Sequence, residues 1–230
     1  MANPAILSVE PQASASADIE WLLSPAPVPY AAAIKAMKGR VAAIIAGRAP
    51  ETVWLLEHPP LYTAGTSAAP EELLEPSRLP VFRTGRGGRF TYHGPRQRVA
   101  YVMLDLGRRG RDVRAFVHRL EDWLIATVAR LGVEGERHEG QIGVFVGEAK
   151  IASIGIRVRH WMSFHGVSLN VDPDLAHFSG IVPCGLKAPV TSLAALGIHA
   201  DMERVDTALH DSFDEVFGTT PISTNSCRRP

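Results

Sequence analysis

Three stretches of the chain repeat apolar residues at helical spacing, and seven shorter ones carry the β-branched and aromatic residues of strands. Over residues 30–47, Ile34, Met37, Val41, Ile44 and Ile45 recur mostly in steps of three and four among helix formers, and Gly47 stops the pattern. Over residues 112–132, Val113, Phe116, Leu120, Leu124 and Val128 fall on one face, which Gly132 closes. Residues 202–217 form the third predicted helix. Strands are predicted over 52–57, 80–84, 89–93, 98–106, 142–146, 150–159 and 163–171. The runs on either side of Gly147 and Glu148 have the pattern of an antiparallel hairpin. Helices interspersed among many strands, with a hairpin among them, predict an α+β fold with a mixed β-sheet packed against helices rather than a regular βαβ series.

Composition adds a domain count. At 230 residues and 46% hydrophobic the chain can bury one sizeable core. Residues 1–20, rich in Ala, Ser and Pro, and the polar residues 219–230 read as flexible tails, leaving 21–218 as a single domain. Lys plus Arg and Asp plus Glu number 24 each, so no global field would gather nucleic acid or an anionic membrane. No apolar run approaches the roughly 20 residues that span a bilayer. The first twenty residues lack the basic and apolar regions of a signal peptide, and two cysteines make a poor disulfide framework. A cytoplasmic protein with neither a nucleic-acid nor a membrane partner is expected.

Four segments carry candidate chemistry. "EHPPLYTAGT", residues 57–66, reads by itself as a loop. In "GRGGRFTYHGP", residues 85–95, Gly87 and Gly88 allow backbone N–H groups to approach an anion or a carbonyl, and Arg86 adds charge, but the spacing is neither GxGxxG nor GxxxxGK. Period-two alternation places Lys150 on one face with Ala152, Ile154 and Ile156, where an ammonium either meets apolar neighbours or snorkels to solvent. Cys184, between Pro183 and Gly185 in "IVPCGL", is either a buried packing thiol or a nucleophile presented on a bend. The nine histidines include no HExxH and no close His–Cys pairing, so no metal site is expected, and no GxSxG marks a serine hydrolase.

Taken together and in order, "RGGRFTYHGPRQ", "GEAKIASIGIRVRHWMSFHGVSLNV" and "HFSGIVPCGL" resemble the octanoyltransferases of lipoate biosynthesis over roughly residues 30–200. The family often has an acidic or small residue where Arg89 stands, and commonly a glycine at Arg96. The resemblance implies the biotin/lipoate protein ligase-like fold, with octanoyl-acyl carrier protein as donor and no cofactor. The implied acceptors are lysines of the lipoyl domains of 2-oxo acid dehydrogenase complexes and of the glycine cleavage H protein. It further implies Cys184 as the acyl-thioester nucleophile and Lys150 as the group that lowers its pKa. The implied substrate site is made of Arg86, Gly87, Gly88, Arg89, Phe90, Thr91, Tyr92 and His93, with Ser153, Ile154 and Gly155, and Gly166, Val167 and Ser168.

The chemistry is consistent with those roles. A thiolate both attacks a thioester and leaves readily when an amine displaces it. Lowering a thiol from about 8.5 to about 6.5 raises the thiolate fraction at neutral pH roughly 25-fold, yet intrinsic nucleophilicity falls about 6- to 10-fold. The net gain is only a few-fold, so Lys150 is expected to move protons as well. His93 and His165 compete with it as bases, and backbone N–H groups near Gly166, Val167, Ser168 and Cys184 are candidate oxyanion donors. An ATP-dependent lipoate or biotin ligase of the same fold, and a non-catalytic module that binds acyl-carrier or lipoyl domains, are the alternatives.

Overall fold

A computed structural model describes residues 19–182 and 189–218. Of the two expected tails only Ile19 and Glu20 fall within this range, and they begin the first strand; Cys184 lies outside it.

The described residues form two mixed sheets with three α-helices. The larger has seven strands in the order β1 (Ile19–Leu23), β2 (Glu51–Leu56), β6 (Gln97–Met103), β10 (Met162–Asn170), β9 (Ala149–Arg159), β8 (Gln141–Val146) and β7 (Glu136–His138). β1 and β2 are parallel and the other pairs antiparallel. The smaller sheet sets β3 (Leu61–Ala64) between β4 (Val81–Arg83) and β5 (Phe90–His93). β3 lies inside the stretch read as a loop, and only four residues separate two prolines from Gly65, too few for alternation to be legible. The α+β architecture and the β8–β9 hairpin agree with the sequence pattern.

Helices cover both faces of the central strands, which explains the unbroken apolar runs in β2 and β6. α1 (Tyr30–Ile45) packs Ala33, Met37 and Val41 against Trp54, Leu56, Val99, Tyr101 and Met103. α2 (Val113–Arg130) and α3 (Met202–Phe217) cover the opposite face, where Phe116, Leu120, Trp123, Leu124 and Phe213 meet Val53, Leu55, Ala100 and Val102. Asp112 and Asp201 cap α2 and α3, each accepting from a backbone N–H three residues on. Among the described residues no helix is long and apolar enough to cross a membrane.

One irregularity resets the alternation where it matters. Val144 pairs with Ala152 but Phe145 with Lys150, so β9 carries one extra residue there. Ile151 and Ala152 both enter the main core. Lys150 is thereby turned to the face opposite Ala152, Ile154 and Ile156, which corrects the face expected from simple alternation. Beyond the bulge, Ile154, Ile156 and Val158 pack on the main core, leaving Ser153, Gly155, Arg157 and Arg159 on the other side.

Candidate active site

A cavity of about 50 Å³ lies where the two sheets and the start of α1 meet. Arg86, Gly88 and Arg89 line it from the loop before β5, and Thr91 and His93 from β5 itself. Ser153, Ile154 and Gly155 of β9 and Gly166, Val167 and Ser168 of β10 form its floor, and Tyr30, Val99, Tyr101 and His165 complete it. Three residues named from the sequence are elsewhere. Alternation along β5 turns Phe90 and Tyr92 into the core of the small sheet. The Gly87 N–H donates to Ile156 O at 2.8 Å, so it is not an open anion donor.

The other oxyanion expectation also changes. β10 is paired with β6 on one side and β9 on the other throughout Gly166, Val167 and Ser168, so their N–H groups belong to the sheet ladders. Arg86 is buried and clips the loop from within: Nη2 donates to Thr63 O at 2.8 Å and to Arg89 O at 2.9 Å, and Nη1 to Gly87 O at 2.9 Å. It fits because Gly155 opposite has no side chain, since a Cβ there would meet Arg86 Cδ at 2.9 Å. Arg86 therefore contributes a fixed positive charge to the wall and holds the loop that carries it.

Two hydrogen-bond chains set the protonation of the wall. Thr191 O can only accept, so Asn170 Nδ2 donates to it at 2.9 Å and Asn170 Oδ1 faces Gln97. Gln97 Nε2 donates to that oxygen at 2.9 Å, which turns Gln97 Oε1 toward His93 Nδ1 at 2.7 Å. His93 must donate through Nδ1–H, and Nε2 is left as an acceptor. Burial, with His58 nearby, pushes His93 down to about 3, so it is neutral in any ordinary buffer. In the second chain His58 Nδ1 donates to Val28 O at 2.7 Å, and its Nε2 therefore accepts from the Tyr101 hydroxyl at 2.9 Å. Burial raises Tyr101 well above its usual range and Tyr30 to about 12, so both phenols stay protonated.

His165 sits in β10 with φ at +61°, a left-handed backbone that histidine tolerates better than most residues. Burial and then the Arg86 charge push it down to about 4. Among the described residues no group of three His, Cys, Asp or Glu side chains is arranged to hold a metal ion.

Lys150 is buried, with Nζ 5.3 Å from the centre of the Phe145 ring. The space it occupies exists because of Gly143: a Cβ there would come within 2.4 Å of Lys150 Cε, and φ of +129° is a backbone suited to glycine. The backbone of Lys150 also holds the chain that emerges after Cys184. Lys150 N donates to Pro189 O at 2.8 Å, and Thr191 N to Lys150 O at 2.9 Å. On the near side of Cys184, Val182 N donates to Glu72 O at 2.8 Å.

Residues 29–214 match the lipoyl protein ligase A/B catalytic domain. The chain is 62% identical over 206 residues to the octanoyltransferase of Paramagnetospirillum magneticum, covering 87% of this chain and 97% of that one. It is 59% identical over 214 residues to the octanoyltransferase of Rhizorhabdus wittichii, covering 91% and 96%. The chain belongs to the octanoyltransferases of the lipoyl protein ligase A/B family. It is an acyltransferase. A crystal structure of lipoate-protein ligase A bound with ATP shares the fold, with a TM-score of 0.69 at 16% identity over 90% of this chain and 88% of that one.

For an octanoyltransferase wall, the sequence left unassigned Tyr30, His58, Tyr101 and the Gln97–Asn170 pair. Tyr30 was legible only as a helix start and Tyr101 as one residue of an apolar strand. His58 lay in the segment read as a loop. None carries a local motif; what joins them is the pairing of β6 with β2 and β10.

Proposed function

We propose that the protein moves an octanoyl group from octanoyl-acyl carrier protein to a lysine of lipoyl domains by way of a thioester on Cys184. The lipoyl domains are those of 2-oxo acid dehydrogenase complexes and the glycine cleavage H protein. The observation that carries this reading is the position of Lys150, buried at the cavity side of β9 and hydrogen-bonded through its backbone to the chain five residues after Cys184.

In the first half-reaction Lys150 takes the thiol proton, and the Cys184 sulfur attacks the donor carbonyl carbon. The tetrahedral intermediate collapses by breaking the bond to the carrier sulfur, which leaves as a thiol with the proton returned by Lys150. In the second, the acceptor amine attacks the Cys184 thioester and gives a proton to Lys150, and the amide leaves as the sulfur departs. The donor is already activated, so no nucleotide is consumed. Arg86 stabilises negative charge at the wall, and His93 Nε2, fixed as an acceptor, orients a donor group of the substrate. Val99 offers apolar wall to the acyl tail, whose burial contributes about 0.8 kcal/mol per methylene.

The test is to mix the protein with octanoyl-acyl carrier protein and a lipoyl domain without ATP. Octanoylated lysine is expected, and Cys184→Ala and Lys150→Ala should each lose it. A requirement for ATP would turn the reading toward a lipoate or biotin ligase. Full turnover by Lys150→Arg, which cannot deprotonate, would remove the proton-transfer role.

A further inference from the structure

Beyond the cavity, one side of α1 and the β9–β10 hairpin border a groove of about 640 Å³. Its floor is apolar, with Ile34, Met37 and Val41 from α1, Phe82 from β4 and Phe164 from β10. Its rim is cationic. Lys38, Arg83, Arg157 and Arg159 are all exposed, none is in an ion pair among the described residues, and no Asp or Glu lines the groove. In a chain whose charges sum to zero, four cations gathered at one place make a local field that favours an acidic partner.

The groove leads to the cavity. Both have Tyr30 and His165 in their walls. Ser153 and Gly155, which line the cavity, share a face of β9 with Arg157 and Arg159, which line the groove. At about 3.3 Å per residue Arg159 lies about 13 Å from Gly155 along the strand. At about 1.5 Å per residue Ile45 lies about 22 Å from Tyr30 along the helix. A partner whose attachment point sits midway along that length needs a tether of about 11 Å to reach the cavity end. The side chain of an acceptor lysine is too short for that, whereas an acyl group on a carrier's prosthetic arm has such a tether.

Resting on the reading of the cavity as the acyl-transfer site, we propose that the groove docks the carrier protein of the acyl donor. An amphipathic acidic helix of the carrier covers the apolar floor, and its carboxylates meet Lys38, Arg83, Arg157 and Arg159.

The double variant Arg83→Glu/Arg159→Glu tests this, because both side chains are exposed and neither lines the cavity. Carrier binding is measured directly, and transfer is measured with octanoyl carrier protein, with octanoyl-phosphopantetheine and over a range of lipoyl-domain concentrations. Docking predicts at least a tenfold weaker affinity for the carrier and a tenfold lower kcat/KM with it, a wild-type affinity that falls as salt rises, and unchanged kinetics with octanoyl-phosphopantetheine. An equal loss with octanoyl-phosphopantetheine would overturn it, because the cations would then serve the phosphate of the arm. A raised KM for the lipoyl domain alone would overturn it in favour of the acceptor, and unchanged carrier affinity would remove the site altogether. A wild type that binds the carrier through these cations yet transfers nothing would support the docking and contradict the proposed chemistry.

Discussion

Val53, Leu55, Ala100 and Val102 face α2 and α3, while Trp54, Leu56, Tyr101 and Met103, their immediate neighbours in the same two strands, face α1. On the α2/α3 side two buried polar pairs lie within or between the helices: Trp123 Nε1–H donates to Leu209 O at 2.7 Å, and Thr127 bonds Ser212 at 2.8 Å. On the α1 side they are linked into chains that end at the cavity, through Thr191, Asn170 and Gln97 to His93, and through Val28 and His58 to Tyr101. The first arrangement maximises apolar contact and keeps these pairs within the helices. The second fixes which nitrogen of each histidine bears a proton, at the cost of burying neutral imidazoles that would ionise in water. Alternation in two strands is enough to build a scaffold on one face and a chemically defined wall on the other.

The difference can be broken most forcefully on the scaffold side. Trp123 is fully buried, and Trp123→Ala should destabilise the protein by about 3–5 kcal/mol in denaturant titrations while kcat per folded molecule stays unchanged. A fall in kcat of the folded fraction would mean that the two faces are not separable. Acid acts on the other face. His93 and His165 are held neutral down to about 3 and about 4, and His58 is also lowered by burial, whereas the unfolded chain protonates all three below about 6.5.

The unfolded state therefore binds more protons, and stability should fall as pH drops below about 6.5. Asp206, raised to about 6 by burial despite Arg98, binds its proton in the folded state first and opposes this by about one proton. His93 and His165, less Asp206, leave about one net proton near pH 5, a slope of at least about 1.4 kcal/mol per pH unit to which His58 adds, and His93→Gln should flatten it. Stability indifferent to pH between 5 and 7 would contradict the buried neutral imidazoles.

Gln97→Leu should cost about 1–3 kcal/mol by leaving Asn170 Oδ1 and His93 Nδ1–H without partners. It should also lower kcat at constant donor KM and release His93 into a mixture of ring tautomers by nitrogen NMR. Gln97→Glu keeps the acceptor toward His93 and should retain the single tautomer. The smallest effects concern two left-handed residues, Arg96 at φ +63° and His165 at φ +61°. Replacing either by Gly releases about 1–2 kcal/mol of backbone strain, mostly offset by chain entropy and lost contacts. Arg96→Gly should leave kinetics unchanged, whereas His165→Gly should alter them.

The helices and most strands were legible in the sequence because α1, α2, β2 and β6 each carry a pattern long enough to read, and Gly47 and Gly132 mark where the two helices end. Eleven residues assigned to the substrate site by resemblance do line one cavity, since the motifs carry local spacing. Phe90 and Tyr92 were misassigned because a contiguous motif ignores the alternation of the strand it sits on. Lys150 was put on the wrong face because one inserted residue in β9 inverts the parity, and nothing in the run of apolar residues marks the bulge. The tautomers of His93 and His58 depend on Thr191 O and Val28 O, distant carbonyls that only the paired sheet brings into reach.

The central claim is that Cys184 carries the octanoyl group between the two partner proteins. Intact-mass and peptide analysis after incubation with octanoyl carrier protein, without any lipoyl domain, reads it directly. The account predicts one octanoyl adduct, mapped to Cys184, labile to hydroxylamine and discharged when the lipoyl domain is added. An unmodified Cys184 under conditions where transfer to the lipoyl domain proceeds would contradict it.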